Sequence, residues 1–572
     1  MKIAIAQLNP TIGDLDGNAQ KILDAAHRAS REGVRLLLTP ELSLCGYPPR
    51  DLLLDLSFVQ TMMDKLSNLA QQIPNGLAVL VGTVELNERS QQNGGKPLFN
   101  SVALLENGQV RQIFHKRLLP TYDVFDEDRY FEPGNQPNHF VLDLGAASVH
   151  VGVTICEDLW NDEEFWGKRT YDLNPIVDLA EVGVDFTVNL SASPFTVGKQ
   201  RLREGMLQHG AKRFHQPMMY ANQVGGNDDL IFDGRSVVCD RSGNLVARAR
   251  GFEEDWLVVE YNSETRDFLP GSVTPDVESE EAELYSALVL GVRDYARKCG
   301  FSKIVLGLSG GIDSSLVAAI AASALGADQV LGILMPSPYS SDHSVDDAIA
   351  LAQNLGIQTQ TLPIGTLMES YDHTLDQLFA GTPFGLAEEN LQSRIRGTLL
   401  MAISNKFGHL LVSTGNKSEV AVGYCTLYGD MNGGLAAIAD VPKTKVYAIC
   451  EWLNQHENRP IPPNVLTKAP SAELRPGQKD QDSLPSYDVL DDILDRLIHQ
   501  HQTIAHVVEA GHDAATVERV AKLVKIAEFK RKQSPPGLKV TDRAFGTGWR
   551  MPIASRWIAR LAAQQTPDPV KS

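Results

Sequence analysis

Short apolar runs, each ending in a small or charged residue, punctuate the whole chain. Lys2 to Gln7, Val34 to Thr39, Ala78 to Glu85 and Ser101 to Leu105 read as strands, as do Val149 to Ile155, Asp185 to Leu190 and Met218 to Gln223. Asn18 to Glu32 carries its apolar residues at helical spacing and predicts a helix. Phe252 to Tyr261 predicts a last strand for this half. The next stretch, Asn262 to Glu278, is acidic and is broken by Pro270-Gly271 and Pro275, so it reads as a linker. A helix over Ser279 to Cys299 then precedes a strand, Lys303 to Leu308. Further strands at Val330 to Met335 and His409 to Thr414 are separated by helices. That alternation predicts a doubly wound parallel sheet, with ligands at the carboxyl ends of its strands. Leu466 to Asp488, rich in Pro, Asp, Gly and Ser, reads as a mobile loop, and there is no repeat of solenoid type.

At 572 residues the chain is too long for one ordinary core. The pattern divides it into an N-terminal domain over 1–261, a linker over 262–278 and a C-terminal domain over 279–572. Apolar residues at 43% and charged residues at 22% are the proportions of a soluble globular protein. A formal charge of −19 weighs against nucleic acid as the main partner. None of the six cysteines forms a CxxC pair, which argues against a zinc ribbon, a redox motif or a disulfide framework and for reduced, cytoplasmic thiols. The N-terminal apolar run turns polar too soon for a signal peptide, and no apolar run is long enough to span a membrane.

Candidate chemistry concentrates first in Ser309-Gly310-Gly311-Ile312-Asp313-Ser314-Ser315, which lies between an apolar strand and a small-residue helix. Glycines let the backbone approach a ligand, and free N–H groups at a helix start suit phosphate. Asp313 is out of place in a pure anion cradle unless Mg²⁺ sits between it and the phosphates. The Gly-Lys-Ser/Thr ending of a Walker A loop is absent. The string is similar to the signature of the PP-loop ATP pyrophosphatases. That resemblance implies adenylation of an oxygen acid, release of pyrophosphate and displacement of AMP by a nucleophile.

Three pieces stand out in the first half. Glu41 lies in Pro40-Glu41-Leu-Ser-Leu-Cys-Gly-Tyr-Pro48, Lys116 in His115-Lys116-Arg-Leu-Leu-Pro120 and Cys156 in Gly152-Val-Thr-Ile-Cys156-Glu-Asp-Leu-Trp160, each just after a strand. Singly, each is more simply a core or surface residue. Together, a base, a cation and a thiol at converging strand ends form a complete amidase set. These motifs resemble the carbon–nitrogen hydrolase (nitrilase) superfamily over Met1 to Tyr261. The resemblance implies an αββα sandwich, with Glu41 as base, Lys116 as stabiliser and favouring the thiolate, Cys156 as nucleophile and the Glu157 N–H in the oxyanion hole. It also implies that Glu132, in Tyr130-Phe-Glu-Pro-Gly134, orients the site, and that Tyr122, Ser193 and Lys199 hold glutamine.

In the second half, Ser413-Thr414-Gly-Asn-Lys-Ser-Glu419 follows a strand, and Glu419 and Asp313 make a plausible Mg²⁺ seat. Tyr424 to Gly434 reads as a ligand-facing loop, with Lys443 and Lys445 beside it. These strings resemble NAD synthetases over Glu281 to Arg550. The resemblance implies that Gly307, Leu308, Ser309, Gly310, Gly311, Ile312, Asp313 and Ser314 cradle ATP as co-substrate, with Thr414 and Lys443. It further implies that Asn390, Glu419 and Lys530 contact deamido-NAD, and that Asp313 and Glu419 hold Mg²⁺. Arg531 and Lys532 compete with Lys530 for that assignment. Leu427 stands where ammonia-only relatives tend to carry a lysine. The two halves together resemble the glutamine-dependent branch, implying glutamine, ATP and deamido-NAD as small-molecule partners and a homo-oligomer. Competing readings are an amidotransferase for another adenylated acid, a binding protein with an inactive hydrolase, and a tRNA-modifying PP-loop enzyme, which the charge disfavours.

Overall fold

In the first of two compact units, Met1–Glu278, the apolar runs pair into two large sheets, beside a small hairpin of Val224–Asn227 and Leu230–Asp233. One sheet has the order Asp267–Phe268, Asp255–Asn262, Lys2–Gln7, Val34–Leu38, Ala78–Leu86, Leu98–Glu106, Gln109–His115. The other has the order Leu245–Arg248, Val237–Cys239, Met218–Asn222, Phe186–Ser191, Ser148–Ile155, His139–Asp143. These assignments come from a computed structural model that describes residues 1–145 and 147–557; residues 558–572, the end of the expected 279–572 domain, lie outside the described residues.

The period of two along each strand decides the layering. Ile3, Ile5, Leu36 and Leu38 face the core between the sheets, where they meet Val151, Val153, Val188 and Leu190. Ala4, Ala6 and Leu37 point the other way, toward Ile22 and Ala26 of the helix Leu15–Arg31 and Met62 and Leu66 of the helix Leu56–Gln72. On the far side, Met218, Tyr220 and Val237 pack with Ile176, Met206 and Leu207 of the helices Pro175–Val182 and Lys199–Phe214. The result is the αββα sandwich.

The segment expected as a linker over 262–278 is instead partly built into this unit. Tyr261 and Asn262 pair antiparallel with Phe268 and Asp267, and Val273 bridges to Arg248. The reason is Phe268, an aromatic anchor inside an acidic stretch. It is buried, with ring centroids 5.3 Å from Phe186 and 5.6 Å from Tyr261. The strands Gln109–His115, His139–Asp143, Val237–Cys239 and Leu245–Arg248 were not expected either, because they are short or carry polar residues.

The second unit, from Ser279 onward, holds an all-parallel sheet of order Gln358–Thr361, Val330–Leu334, Ile304–Gly307, Leu410–Ser413, Leu435–Ala436. Strand order reverses beside Ile304–Gly307, so loops leaving it and Leu410–Ser413 diverge and open a crevice at their carboxyl ends. The helix Ile312–Leu325 starts there and is apolar nearly all round, since it is buried between the sheet and the helices Glu280–Lys298 and Lys443–His456. No helix among the described residues is long and apolar enough to cross a membrane.

One glycine shows how the first sheet shapes its loops. A Cβ on Gly82 would lie 2.3 Å from the Leu42 nitrogen and 2.3 Å from the Pro40 oxygen, both backbone atoms that cannot rotate away. The Pro40–Leu42 turn therefore lies directly on the strand Ala78–Leu86. Gly82→Ala is expected to destabilise the protein by at least about 2 kcal/mol through overpacking, read as a lowered unfolding midpoint in denaturant. A midpoint equal to that of the parent would refute this contact.

Candidate active sites

Glu41, Lys116 and Cys156 are all buried at strand ends of the sandwich. Glu41 Oε1 accepts from Lys116 Nζ at 2.8 Å and from Asn100 Nδ2 at 2.8 Å, and Oε2 accepts from the Ala192 N–H at 3.0 Å. Lys116 Nζ also donates to Glu127 Oε1 at 2.8 Å, which takes the Tyr47 hydroxyl at 2.9 Å as well. Burial works against the charge on Lys116, but Glu127 and Glu41 outweigh it and raise its pKa well above the ordinary value. Burial likewise raises Glu127, against the pull of Lys116.

Glu127, not Glu132, is thus the second carboxylate on the lysine. The turn Glu127–Arg129 aims Glu127 inward, whereas Glu132 accepts from the Lys96 backbone N–H at 2.7 Å. Both lie in the same stretch, and only the turn decides which carboxylate points to Lys116.

Cys156 follows the strand Ser148–Ile155 with φ +42°, a left-handed conformation uncommon for a residue other than glycine. Asp158 holds this turn. Its Oδ2 accepts from the Ile155 N–H at 3.0 Å, and its Oδ1 accepts from Arg117 at 3.0 Å and Leu118 at 2.9 Å. One carboxylate thereby ties the thiol-bearing turn to the loop after Lys116. Burial pushes Asp158 up to about 6, with the three N–H groups opposing. Burial first, then the charge of Glu41, pushes the Cys156 thiol well above its ordinary value, and Lys116 pulls it back. Burial and the Glu41 charge thus act against a thiolate here, while Lys116 acts for one.

Glu157 was missed by the sequence reading as a side chain. Its carboxylate accepts from the Tyr122 hydroxyl at 2.9 Å and from the Tyr171 hydroxyl at 3.0 Å, and burial pushes it up to about 7. Ser193 is buried, its N–H donating to Asn222 Oδ1 at 3.0 Å. Lys199 donates to the Pro194 carbonyl at 3.0 Å and lies 5.5 Å from the Trp160 ring centroid.

In the second unit, a cavity of about 310 Å³ opens at the crevice of the parallel sheet. Gly307, Leu308, Ser309, Gly311, Ile312, Asp313 and Ser314 line it, with Thr414, Glu419 and Lys443. Gly310 takes φ +73°, and a Cβ there would stand 2.1 Å from the Ser344 carbonyl oxygen, so only glycine fits this turn. Asp313 accepts from Asn416 Nδ2 at 2.9 Å and pairs with the Lys443 ammonium, which lies 3.5 Å from Glu419 Oε1. Burial pushes Glu419 up to about 8, with Lys443 opposing and Asp313 adding to the rise.

Asn390 and Lys530 are not on this cavity's wall. Asn390 Oδ1 accepts from Thr426 Oγ1 at 2.9 Å, and Lys530 Nζ donates to the Gly423 and Cys425 carbonyls at 2.8 and 2.6 Å. They brace the Gly423–Thr426 loop from behind. Arg531 is turned inward onto Glu528 and Lys532 lies near the same carboxylate. The segment expected as a mobile loop supplies Pro470, Glu473 and Asp480 to the cavity wall, and Glu473 Oε1 accepts from Ser341 and Ser344 hydroxyls at 3.0 and 2.7 Å.

A thiol amidase sandwich followed by an adenylating sheet defines a two-centre enzyme that releases nitrogen at one centre and activates an acid at the other. Known families divide the chain the same way: carbon-nitrogen hydrolase matches residues 2–269 and NAD synthase matches residues 284–534. The glutamine-dependent NAD(+) synthetase of Synechocystis is 60% identical over 554 residues, covering 96% of this chain and 98% of that protein. Its counterpart in Thermotoga maritima is 44% identical, covering 97% of this chain and 99% of its own. The solved glutamine-dependent NAD+ synthetase of Acinetobacter baumannii, in complex with ADP, is 40% identical with a TM-score of 0.75, covering 98% of this chain and 99% of its own. The chain belongs to the glutamine-dependent NAD(+) synthetase family.

The raised Glu157 has a consequence for stability. Its folded pKa of about 7 exceeds the ordinary 4.5, so the stability it contributes is fully present below 4.5 and is lost as pH rises through 7. Glu157→Gln removes this loss. The unliganded variant is expected to gain on the parent between pH 5 and pH 8 by on the order of 3 kcal/mol, followed by denaturant titration at both pH values. A difference that does not change with pH would contradict the raised pKa.

Proposed function

We propose that the first unit releases ammonia from glutamine and that the second uses it to amidate adenylated deamido-NAD. The observation that carries this reading is the buried Glu41–Lys116 pair acting on Cys156. Cys156 Sγ attacks the glutamine side-chain carbonyl carbon as Glu41 takes the thiol proton. Lys116 and the Glu157 N–H stabilise the oxyanion. Glu41 returns the proton to the leaving nitrogen, ammonia departs, and a thioester remains. Water activated by Glu41 then releases glutamate and restores the thiol. Glu127 steadies Lys116 in place of the role expected of Glu132. Glu157, between two tyrosine hydroxyls, is the natural partner of the substrate's ammonium, and Tyr122, Ser193 and Lys199 are assigned to the rest of the glutamine. The thiol chemistry thus starts from a neutral Cys156, which makes Glu41 the base the first step requires.

In the second unit, residues 307–314 with Thr414 and Lys443 hold ATP. The nicotinate carboxylate oxygen attacks the α-phosphorus, and pyrophosphate leaves. Ammonia then attacks the acyl carbon, and AMP leaves with formation of NAD. Asp313 and Glu419 fit a Mg²⁺, since two carboxylates converge on one point at the cavity wall, beside Lys443. Bound there, the ion would neutralise charge on the departing pyrophosphate. Asn390 and Lys530 support the dinucleotide side through the Gly423–Thr426 loop. Domain limits of 1–278 and 279–572 fit this division of labour. A homo-oligomer joined through the second unit is supported by the helix Gly365–Phe379, none of whose residues is buried, and by the exposed Leu378, Phe384 and Leu386. The six cysteines, all free, suit the reducing cytoplasm.

Cys156→Ala is expected to lower glutamine-supported NAD formation by at least about a thousandfold while ammonia-supported formation persists. Asp313→Ala is expected to lower synthesis from either nitrogen source by about a hundredfold or more. Both are read as NAD formed from deamido-NAD and ATP. Loss of both activities in Cys156→Ala, or of neither, would sink the two-centre reading.

A further inference from the structure

The second unit contains a buried charge cluster that the chemistry above does not use. Lys417 is 4% exposed, and its Nζ has four acceptors: Asp440 Oδ1 at 2.7 Å, Thr541 Oγ1 at 2.8 Å, the Arg543 carbonyl at 2.9 Å and His499 Nε2 at 2.9 Å. Asp440 Oδ2 also accepts the backbone N–H groups of Val540 and Thr541, at 2.8 and 2.7 Å. Burial disfavours the Asp440 charge, but Lys417 and Lys539 outweigh it and hold its pKa below the ordinary carboxylate range. Four stretches, around Lys417, Asp440, His499 and Thr541, therefore meet at one ion pair.

The stretches around Lys417 and Asp440 carry the nucleotide site. Lys417 opens the helix Lys417–Val422, which bears Glu419. Asn416, the cap of that helix, donates to Asp313, and the Lys417 N–H donates to the Val441 carbonyl at 2.9 Å. Lys443 begins the next helix, and its N–H donates to Ser418 Oγ at 2.9 Å. Asp313, Glu419 and Lys443 are thus all referenced to backbone that Lys417 and Asp440 pin.

His499 closes the cluster. Its Nδ1 faces the Asp542 carboxylate, which can only accept, so Nδ1 carries the hydrogen. Nε2 faces the Lys417 ammonium, which can only donate, so Nε2 presents its lone pair. A proton on Nε2 would replace that hydrogen bond by two like charges 2.9 Å apart. The charged groups around the imidazole are Asp542 on Nδ1 and Lys417 on Nε2, with Asp440 on Lys417 and the Lys539 Nζ donating to the Asp542 carbonyl at 2.9 Å.

We propose that Lys417, Asp440 and His499 position the nucleotide site, and that the cluster holds only while His499 Nε2 is unprotonated, so that ATP binding weakens on acidification. They are positioning residues, since none of the three lines the cavity. The inference rests on the assignment of ATP to that cavity. Its test is the ATP Kd of the full-length protein, by calorimetry, between about pH 5 and 8. NAD formation is followed separately, so failure of the proposed function and failure of the cluster give different results.

The parent is expected to lose about tenfold in ATP affinity across that range. His499→Ala should bind weakly at every pH. His499→Gln, whose carbonyl still accepts from Lys417, should keep tight binding at the acid end. Asp542→Asn should move the acid limb to lower pH, because it removes the charge that favours the proton. A His499→Gln profile with the parent's acid limb, or an Asp542→Asn limb that does not move, would overturn the proposal even if both variants make NAD.

Discussion

The first unit depends on one arrangement: a lysine ammonium wholly removed from water and shared by two carboxylates. Lys116 cannot be buried alone, because desolvating an unpaired ammonium would neutralise it. Glu41 and Glu127 keep it charged, and Asn100 and Tyr47 occupy further acceptor sites on the two acids. The group as a whole carries excess negative charge beside Cys156. Burial is the first cause of the raised Cys156 thiol, and the charge of Glu41 adds to it. The strand ends, the turn on Gly82 and the Asp158 bridge all serve to bring these side chains to one point.

The second unit repeats the motif to a different end. Lys443 also stands between two carboxylates, Asp313 and Glu419, but at the wall of an open cavity rather than in a sealed core. In the first unit the lysine is a permanent part of the site. In the second, the same two acids suit a divalent cation, and the lysine ammonium suits phosphate oxygens.

Much of this was legible in the sequence because the candidate site residues sit directly after apolar runs. Glu41, Lys116 and Cys156 could be placed at strand ends by that rule alone, and Gly310-Gly311 marked the tight turn at the cavity. What failed is instructive. Glu132 was named by its motif, yet the residue on Lys116 is Glu127, because a single short turn selects which acid faces inward. Asp158 and Glu157 follow the nucleophile immediately, but nothing in their spacing tells a structural carboxylate from a ligand-facing one. The 262–278 stretch was judged by its charge and prolines, and the single aromatic Phe268 overruled both. The Lys417 cluster joins residues more than 100 positions apart, beyond the reach of any local pattern.

Asp158 carries a further meaning. Its carboxylate grips only main-chain N–H groups, on both the thiol turn and the loop after Lys116. The spacing between nucleophile and stabilising cation is therefore insulated from the side chains around it. Tyr122, Ser193 and Lys199, the last at a helix start, lie outside that grip. A scaffold wired in this way separates the part that must stay fixed from the part that can diversify.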